Sequence, residues 1–231
     1  MRVHSKVKEE PWRGQPLPRG RHKLTSDTVR ASQRERLERA IVELVAEHGF
    51  ESTTVPMVVA TARVSSNAFY DFFADKTDCF IAACDEVARD LLAELVVLTA
   101  EPDWVRAMRR GAAVYLRWWQ QRPAFARAYL LSPQSAGERA LEQRERAYEL
   151  FRAMFADLGR RARAEQPDLP PLSPLVPRVL VVAITELVAE EVRAGRIEAL
   201  GEMEAELSHL ATRLLADDAT AARARAAGAD A

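Results

Sequence analysis

Asn67 is the only asparagine in the chain, and it stands between Ser65-Ser66 and Tyr70, with Lys76 six residues beyond the tyrosine. An amide side chain both donates and accepts, which matches the N7/N6 edge of adenine in a major groove. The phenol of Tyr70 and the ammonium of Lys76 are donors suited to phosphate oxygens. Thr53 and Thr54 stand at the start of a helical segment, where backbone amides already attract anions. Ser65 and Ser66 add short hydroxyls to the same front. Each type also has a plainer use. Asn67, Thr53 and Thr54 can cap helices, and Tyr70 and Lys76 can lie on a solvated face.

The elements that must position these residues are helical throughout. From Thr28 to His48, Leu37, Ala40, Ile41, Leu44 and Val45 recur at the spacing of one helix face. Gly49 follows, where a left-handed residue ends such a helix. A second helix is expected over Val55–Ala62, with Pro56 tolerated in its first turn. A third is expected to follow Ser65, with Ala68, Phe69, Phe72 and Phe73 turned inward. Two short helices joined by a tight turn, after a longer one, describe a helix-turn-helix whose second helix enters the major groove. Longer helices are expected over Thr77–Thr99, from an Asp103 cap to Gln121, over Ala124–Leu131 and over Glu138–Glu165. Pro167, Pro170, Pro171, Pro174 and Pro177 mark a stiff linker, and helices are then expected over Pro174–Ala194 and Leu200–Ala216. The first of these two is apolar on every side from Val179 to Ile184, which calls for a second covering surface such as another subunit.

The fold class is therefore all-α. The organisation is a basic arm over 1–25, a helix-turn-helix domain over 26–76, a helical domain over 77–216 and a tail over 217–231. The arm carries seven basic groups against Glu9 and Glu10, a composition suited to phosphate or minor-groove contact or to a solvated tail. Net charge over all 231 residues is −1. No run approaches the roughly 18 apolar residues of a membrane helix, so no membrane partner is expected. Two cysteines, Cys79 and Cys84, build no disulfide framework and suit a reducing cytoplasm. Five residues apart on a helix, they diverge by about 140° and cannot chelate one metal as a pair. The four histidines are scattered, and no H-E-x-x-H, G-x-S-x-G, G-x-G-x-x-G or P-loop pattern occurs. No metal, cofactor or enzymatic activity is expected.

The run from Thr53 to Lys76 resembles the DNA-binding signature of the tetracycline-repressor (TetR) family, with Thr53, Thr54, Val55, Ala62, Val64, Ser65, Phe69, Tyr70, Phe73 and Lys76 in register. His48-Gly49-Phe50 fits the end of that family's preceding helix. Two positions depart from the pattern. Val59 stands in place of the usual alanine, and Arg63 in place of the turn glycine, so Arg63 must take a positive φ or the turn must differ.

The resemblance implies a homodimer that reads a palindromic operator on double-stranded DNA, commonly a repressor released by a small apolar or amphipathic effector. It implies DNA contacts from Thr53, Thr54, Ser65, Ser66, Asn67, Tyr70 and Lys76. It also places dimerisation on the last two helices, with Val179, Val182, Leu187, Met203, Leu207, Leu210 and Leu214 as candidates. The implied effector cavity falls among the middle helices, where residues 101–155 hold nine of the 16 aromatics. Trp104, Met108, Tyr115, Trp118, Trp119, Tyr129, Phe151, Met154 and Phe155 are the candidate wall, about half of the aromatics lining the cavity and the rest forming core. The helix after Lys76 is the expected lever between cavity and reading head. A helical ligand-binding or scaffold dimer without specific DNA readout is the alternative.

Overall fold

The computed structural model describes residues 26–96, 101, 103–132 and 135–216. The arm expected over 1–25 and the tail expected over 217–231 lie outside the described residues. The described residues form α-helices joined by turns, with no strand among them.

Helix α1 (Ser26–His48) starts two residues before the expected Thr28 and buries Leu37, Ala40, Ile41, Leu44 and Val45, the stripe set by their spacing. Gly49 at φ 81° ends it, its N–H donating to the Val45 carbonyl at 2.9 Å. Helix α2 (Val55–Ala62) has the expected bounds and carries Pro56 in its first turn. Helix α3 is only five residues long (Ser66–Tyr70), so Phe72 and Phe73 belong to the turn after it and not to the helix. Helix α4 (Lys76–Val96) then leads away from these short helices.

Helix α5 (Trp104–Gln120) begins at Asp103, whose Oδ1 accepts from the Val105 and Arg106 amides at 2.8 and 3.4 Å. Helix α6 (Pro123–Leu131) opens on a proline where no intrahelical donor is needed. Helix α7 (Glu138–Glu165) has the expected ends. Residues 166–174 are turns and irregular chain, as the prolines require, and helix α8 (Leu175–Arg193) starts one residue after Pro174. The last segment differs from its expected form: residues Ile197–Met203 wind as a 3-10 helix, and the α-helix α9 is Glu204–Ala216.

One buried apolar cluster runs from Leu37 and Ile41 on α1, through Phe69, Phe73 and Phe80, to Trp118, Tyr129, Val188 and Leu207. A second gathers Trp104, Met108, Phe155, Leu158, Leu180 and Leu215 near the other end of α7. Helix α1 packs against α2, α4 and α6, so the short helices and the larger helical bundle share a core.

The all-round apolar stretch of α8 divides between two surfaces. Leu180, Val181, Thr185, Val188, Ala189 and Val192 are buried within the chain. Val179, Val182 and Leu187 are exposed, as are Leu210 and Leu214 on α9. The expected α9 stripe is split in the same way. Leu207 is buried in the chain's own core and Met203 is half-buried against it, so these two are corrected from interface to core.

Candidate functional site

The reading head is held by apolar side chains too few to hold it without α1. Val58 on α2 and Phe69 on α3 are fully buried, and Phe73 is nearly so. A five-residue helix has no stability of its own in water, and Phe69 is the one residue that α3 itself buries. Between the two helices, Arg63 adopts φ 53° and ψ 47°, the positive φ that the missing glycine demanded, and its N–H donates to the Ala60 carbonyl at 3.2 Å. Arg36 of α1 clamps this turn: its Nη1 donates to the Ala62 carbonyl at 3.0 Å and to that of Arg63 at 3.4 Å. Val59 is buried without breaking the turn, and the Val64 N–H donates to its carbonyl at 3.0 Å.

Ser65 caps α3, its Oγ accepting from the Ala68 amide at 3.2 Å. The cap is thus supplied two residues before Asn67, and Asn67 is exposed on the helix surface beside exposed Ser66. Tyr70 is 60% exposed, with its ring edge-on to Phe69 at 5.3 Å. Thr54 is exposed at the start of α2, although its side chain makes no capping bond. Ser65, Ser66, Asn67, Tyr70 and Thr54 therefore share the solvent side of this unit.

Thr53 and Lys76 do not join them. Thr53 is fully buried, and its hydroxyl donates to the Gly49 carbonyl at 2.8 Å, so it caps the end of α1. The Lys76 ammonium donates to the carbonyls of Phe50 and Thr53, both at 2.8 Å, and to that of Glu51 at 3.2 Å. It also lies 4.5 Å from the centre of the Phe50 ring. Three carbonyls use its three donors, which corrects the phosphate role expected of it. Lys76→Met is accordingly expected to destabilise the protein by about 2 kcal/mol, the scale of hydrogen bonds to a charged group. The salt dependence of DNA binding should stay unchanged. Thermal unfolding and a salt titration check the two parts, and a flattened salt slope would return Lys76 to the phosphate contacts.

Arg30 and Arg34, which sequence reasoning passed over, lie above the Phe72 and Phe73 rings at 4.8 and 5.5 Å from their centres. Their signal in the sequence was a basic pair at i, i+4, which an arginine-rich chain supplies by composition alone.

The cavity lies where α4, α5, α6, α7, α8 and α9 meet and has a volume of about 90 Å³. By this measure one water needs roughly 10–15 Å³, so the space holds several. Met108, Tyr115, Tyr129, Phe151, Met154 and Phe155 line it, as the sequence suggested. Trp104, Trp118 and Trp119 do not: all three are fully buried in the core, Trp118 and Trp119 edge-to-face at 4.9 Å with the Arg122 guanidinium over Trp118. Trp119 is one layer out, its ring 5.5 Å from that of Tyr129. Leu91 of α4, Thr185 of α8 and Leu207 of α9 complete the wall. Of these, Leu207 is expected from the sequence at the subunit interface and the other two carry no signal, because periodicity shows a buried face but not whether a void lies behind it. The lining carries no charged side chain. Burial pushes the Tyr115 hydroxyl up to about 12 and that of Tyr129 further up, so both stay neutral hydrogen-bonding groups. Burial also raises both thiols, Cys79 and Cys84, which are free and buried.

Helix α7 reaches from this cavity to the reading head. Its Arg139 donates to Asp75 Oδ2 at 3.1 Å and pairs with Asp78, on either side of Lys76. Gln143, one turn on, donates to Asp85 of α4 at 3.0 Å. Tyr148, Phe151, Met154, Phe155 and Leu158 of the same helix then form cavity wall.

Residues 39–83 match the family model of bacterial regulatory proteins, tetR family. No curated protein matches the sequence. Among solved structures, the fatty acid degradation regulator FadR from Bacillus halodurans is similar at a TM-score of 0.70 and 15% identity, over 78% of this chain and 97% of that one. FadR from Bacillus subtilis, solved in complex with stearoyl-CoA, is similar at 0.70 and 13% identity over the same shares. A TetR family transcription regulator from Marinobacter aquaeolei VT8 has a TM-score of 0.63 and 20% identity over 83% of this chain and all of that one. The matched residues take in the second half of α1, α2, the Arg63 turn, α3 and the start of α4, so the similarity to that family falls on the short helices and their support.

Proposed function

We propose that the protein is a ligand-responsive regulator that binds a palindromic operator as a homodimer and acts as a repressor released by a small apolar or amphipathic effector. The observation that carries DNA reading is the exposed row Ser66, Asn67 and Tyr70 on a helix already capped by Ser65, which leaves the Asn67 amide at the surface. In this reading residues 26–76 form the DNA-binding domain and 77–216 the effector and dimerisation domain. Asn67 contacts a base edge, while Thr54, Ser65, Ser66 and Tyr70 position the head on the backbone. The exposed apolar residues of α8 and α9 pair across the two-fold axis. Effector binding moves α4 and α7, which reach Asp75 and Asp78 beside the reading head, and changes the spacing of the two α3 helices away from one turn of B-DNA, about 34–36 Å.

The test is binding of the purified protein to DNA upstream of its own and neighbouring genes, by fluorescence anisotropy against random DNA. Specific binding is expected to exceed random by about a thousandfold or more. Asn67→Ala should change the preference at one base position by fivefold or more. Tyr70→Phe should weaken all sequences alike by a few-fold without altering the salt slope, since the lost group carries no charge. Binding no tighter than to random DNA would leave the helical scaffold as the better reading.

A further inference from the structure

The cavity is apolar along most of its wall, but its polar groups are gathered. Tyr115, Tyr129, Tyr148 and Thr185 are the side chains with a polar tip in its lining. Behind Tyr148 stands Arg144, one turn earlier on α7, whose Nε donates to the Tyr148 hydroxyl at 2.8 Å and whose guanidinium carbon lies 5.2 Å from the ring centre. Arg144 is half-buried, and among the described residues no carboxylate pairs with it. Another half-buried arginine of α7, Arg152, two turns on, holds both Glu145 and Glu149. A half-buried guanidinium with no acid beside it has donors left over for an anion. Burial dominates at Tyr115 and Tyr129 and keeps them neutral, and the positive charge of Arg144 is a smaller influence that opposes it, which puts Arg144 within electrostatic reach of both hydroxyls.

Resting on the effector reading above, we propose that the ligand is an amphiphile with one carboxylate, its tail among Leu91, Met108, Phe151 and Leu207 and its head at Tyr148 and Arg144. Tyr148 donates to one carboxylate oxygen once Arg144 turns its free Nη groups to the other. Charge-assisted bonds of this kind are stronger than those to a neutral head. A neutral alcohol with the same tail keeps the apolar burial and loses only the head-group term. The carboxylate, the shared chemistry, is thereby separable from the tail.

The experiment is calorimetric titration of the full-length protein with octanoate and with 1-octanol. Octanoate is expected to bind about tenfold or more tightly than 1-octanol. Arg144→Gln should abolish that preference while leaving 1-octanol affinity unchanged, and Arg144→Lys should retain part of it. Leu91→Trp, which fills the cavity from α4, should block both probes, with circular dichroism showing that each variant is folded. Equal affinity for the two probes in the wild-type protein, or equal weakening of both by Arg144→Gln, overturns the carboxylate assignment and leaves the cavity reading standing. Failure of both probes to bind overturns the cavity reading itself.

Discussion

Val182→Glu should convert the protein to a monomer and weaken operator binding by about a hundredfold or more. Val182 is 52% exposed on α8, between the buried Val181 and the buried Thr185, and it belongs to a surface row with Val179, Leu187, Leu210 and Leu214. A carboxylate placed there meets water in the isolated chain and costs the fold little. In a symmetric dimer it would be desolvated opposite an apolar partner and, near the axis, opposite its own copy, a cost of several kcal/mol. The effect on DNA is indirect. Two linked heads gain roughly 10²–10⁴ in affinity over one because the second half-site is bound at high effective concentration. Light scattering on an analytical column reports the mass, and anisotropy reports operator affinity. A variant that stays dimeric would move the interface away from α8.

Phe69→Ala is expected to cost about 3–5 kcal/mol, the usual range for emptying a buried phenylalanine site, out of a total that for most domains is about 5–15 kcal/mol. Phe69 is fully buried, lies tilted with its ring centre 5.6 Å from that of Phe73 and is the sole buried residue of α3. Without it α3 loses its one buried side chain, so DNA binding should fall by more than tenfold even where the protein remains folded. Denaturant unfolding measures the first effect and anisotropy, below the unfolding transition, the second. A loss below 1 kcal/mol would mean that the turn, clamped by Arg36, holds α3 without its aromatic anchor.

Much of this architecture is legible in the sequence because its signals are local. The stripe Leu37 to Val45, the caps at Ser65 and Asp103, the glycine at 49 and the prolines at 123 and 174 each act within one or two turns of chain, and helices begin or end beside every one of them. What escapes is set by partners far along the chain. Lys76 fits a surface cation until it is seen beneath the carbonyls of Phe50 and Thr53, more than twenty residues earlier. Leu207, Leu210 and Leu214 share one helical stripe, yet that stripe is wider than one contact. Leu207, Ala211 and Leu215, spaced by four, face the chain's own core, while Leu210 and Leu214 face out. The tryptophans fail as cavity markers for a related reason. An aromatic-rich segment announces burial, and only the packing of neighbouring helices decides whether a ring fills space or borders it.

The shared core has a consequence for how such a protein can be recombined. The helix that supports the two short ones, α1, is sealed on one side by α2 and on others by α4 and α6 of the larger bundle. A cut at the Asp75-Lys76 junction looks clean along the sequence, but it would strip α1 of its cover and leave Arg139, still paired with its own Asp78, facing a foreign residue at position 75. The modular boundary is therefore three-dimensional. A head grafted between relatives would have to bring the matching surface of α6 and the first turn of α7 with it, so the short-helix unit and the cavity-bearing bundle are inherited together more readily than either is exchanged alone.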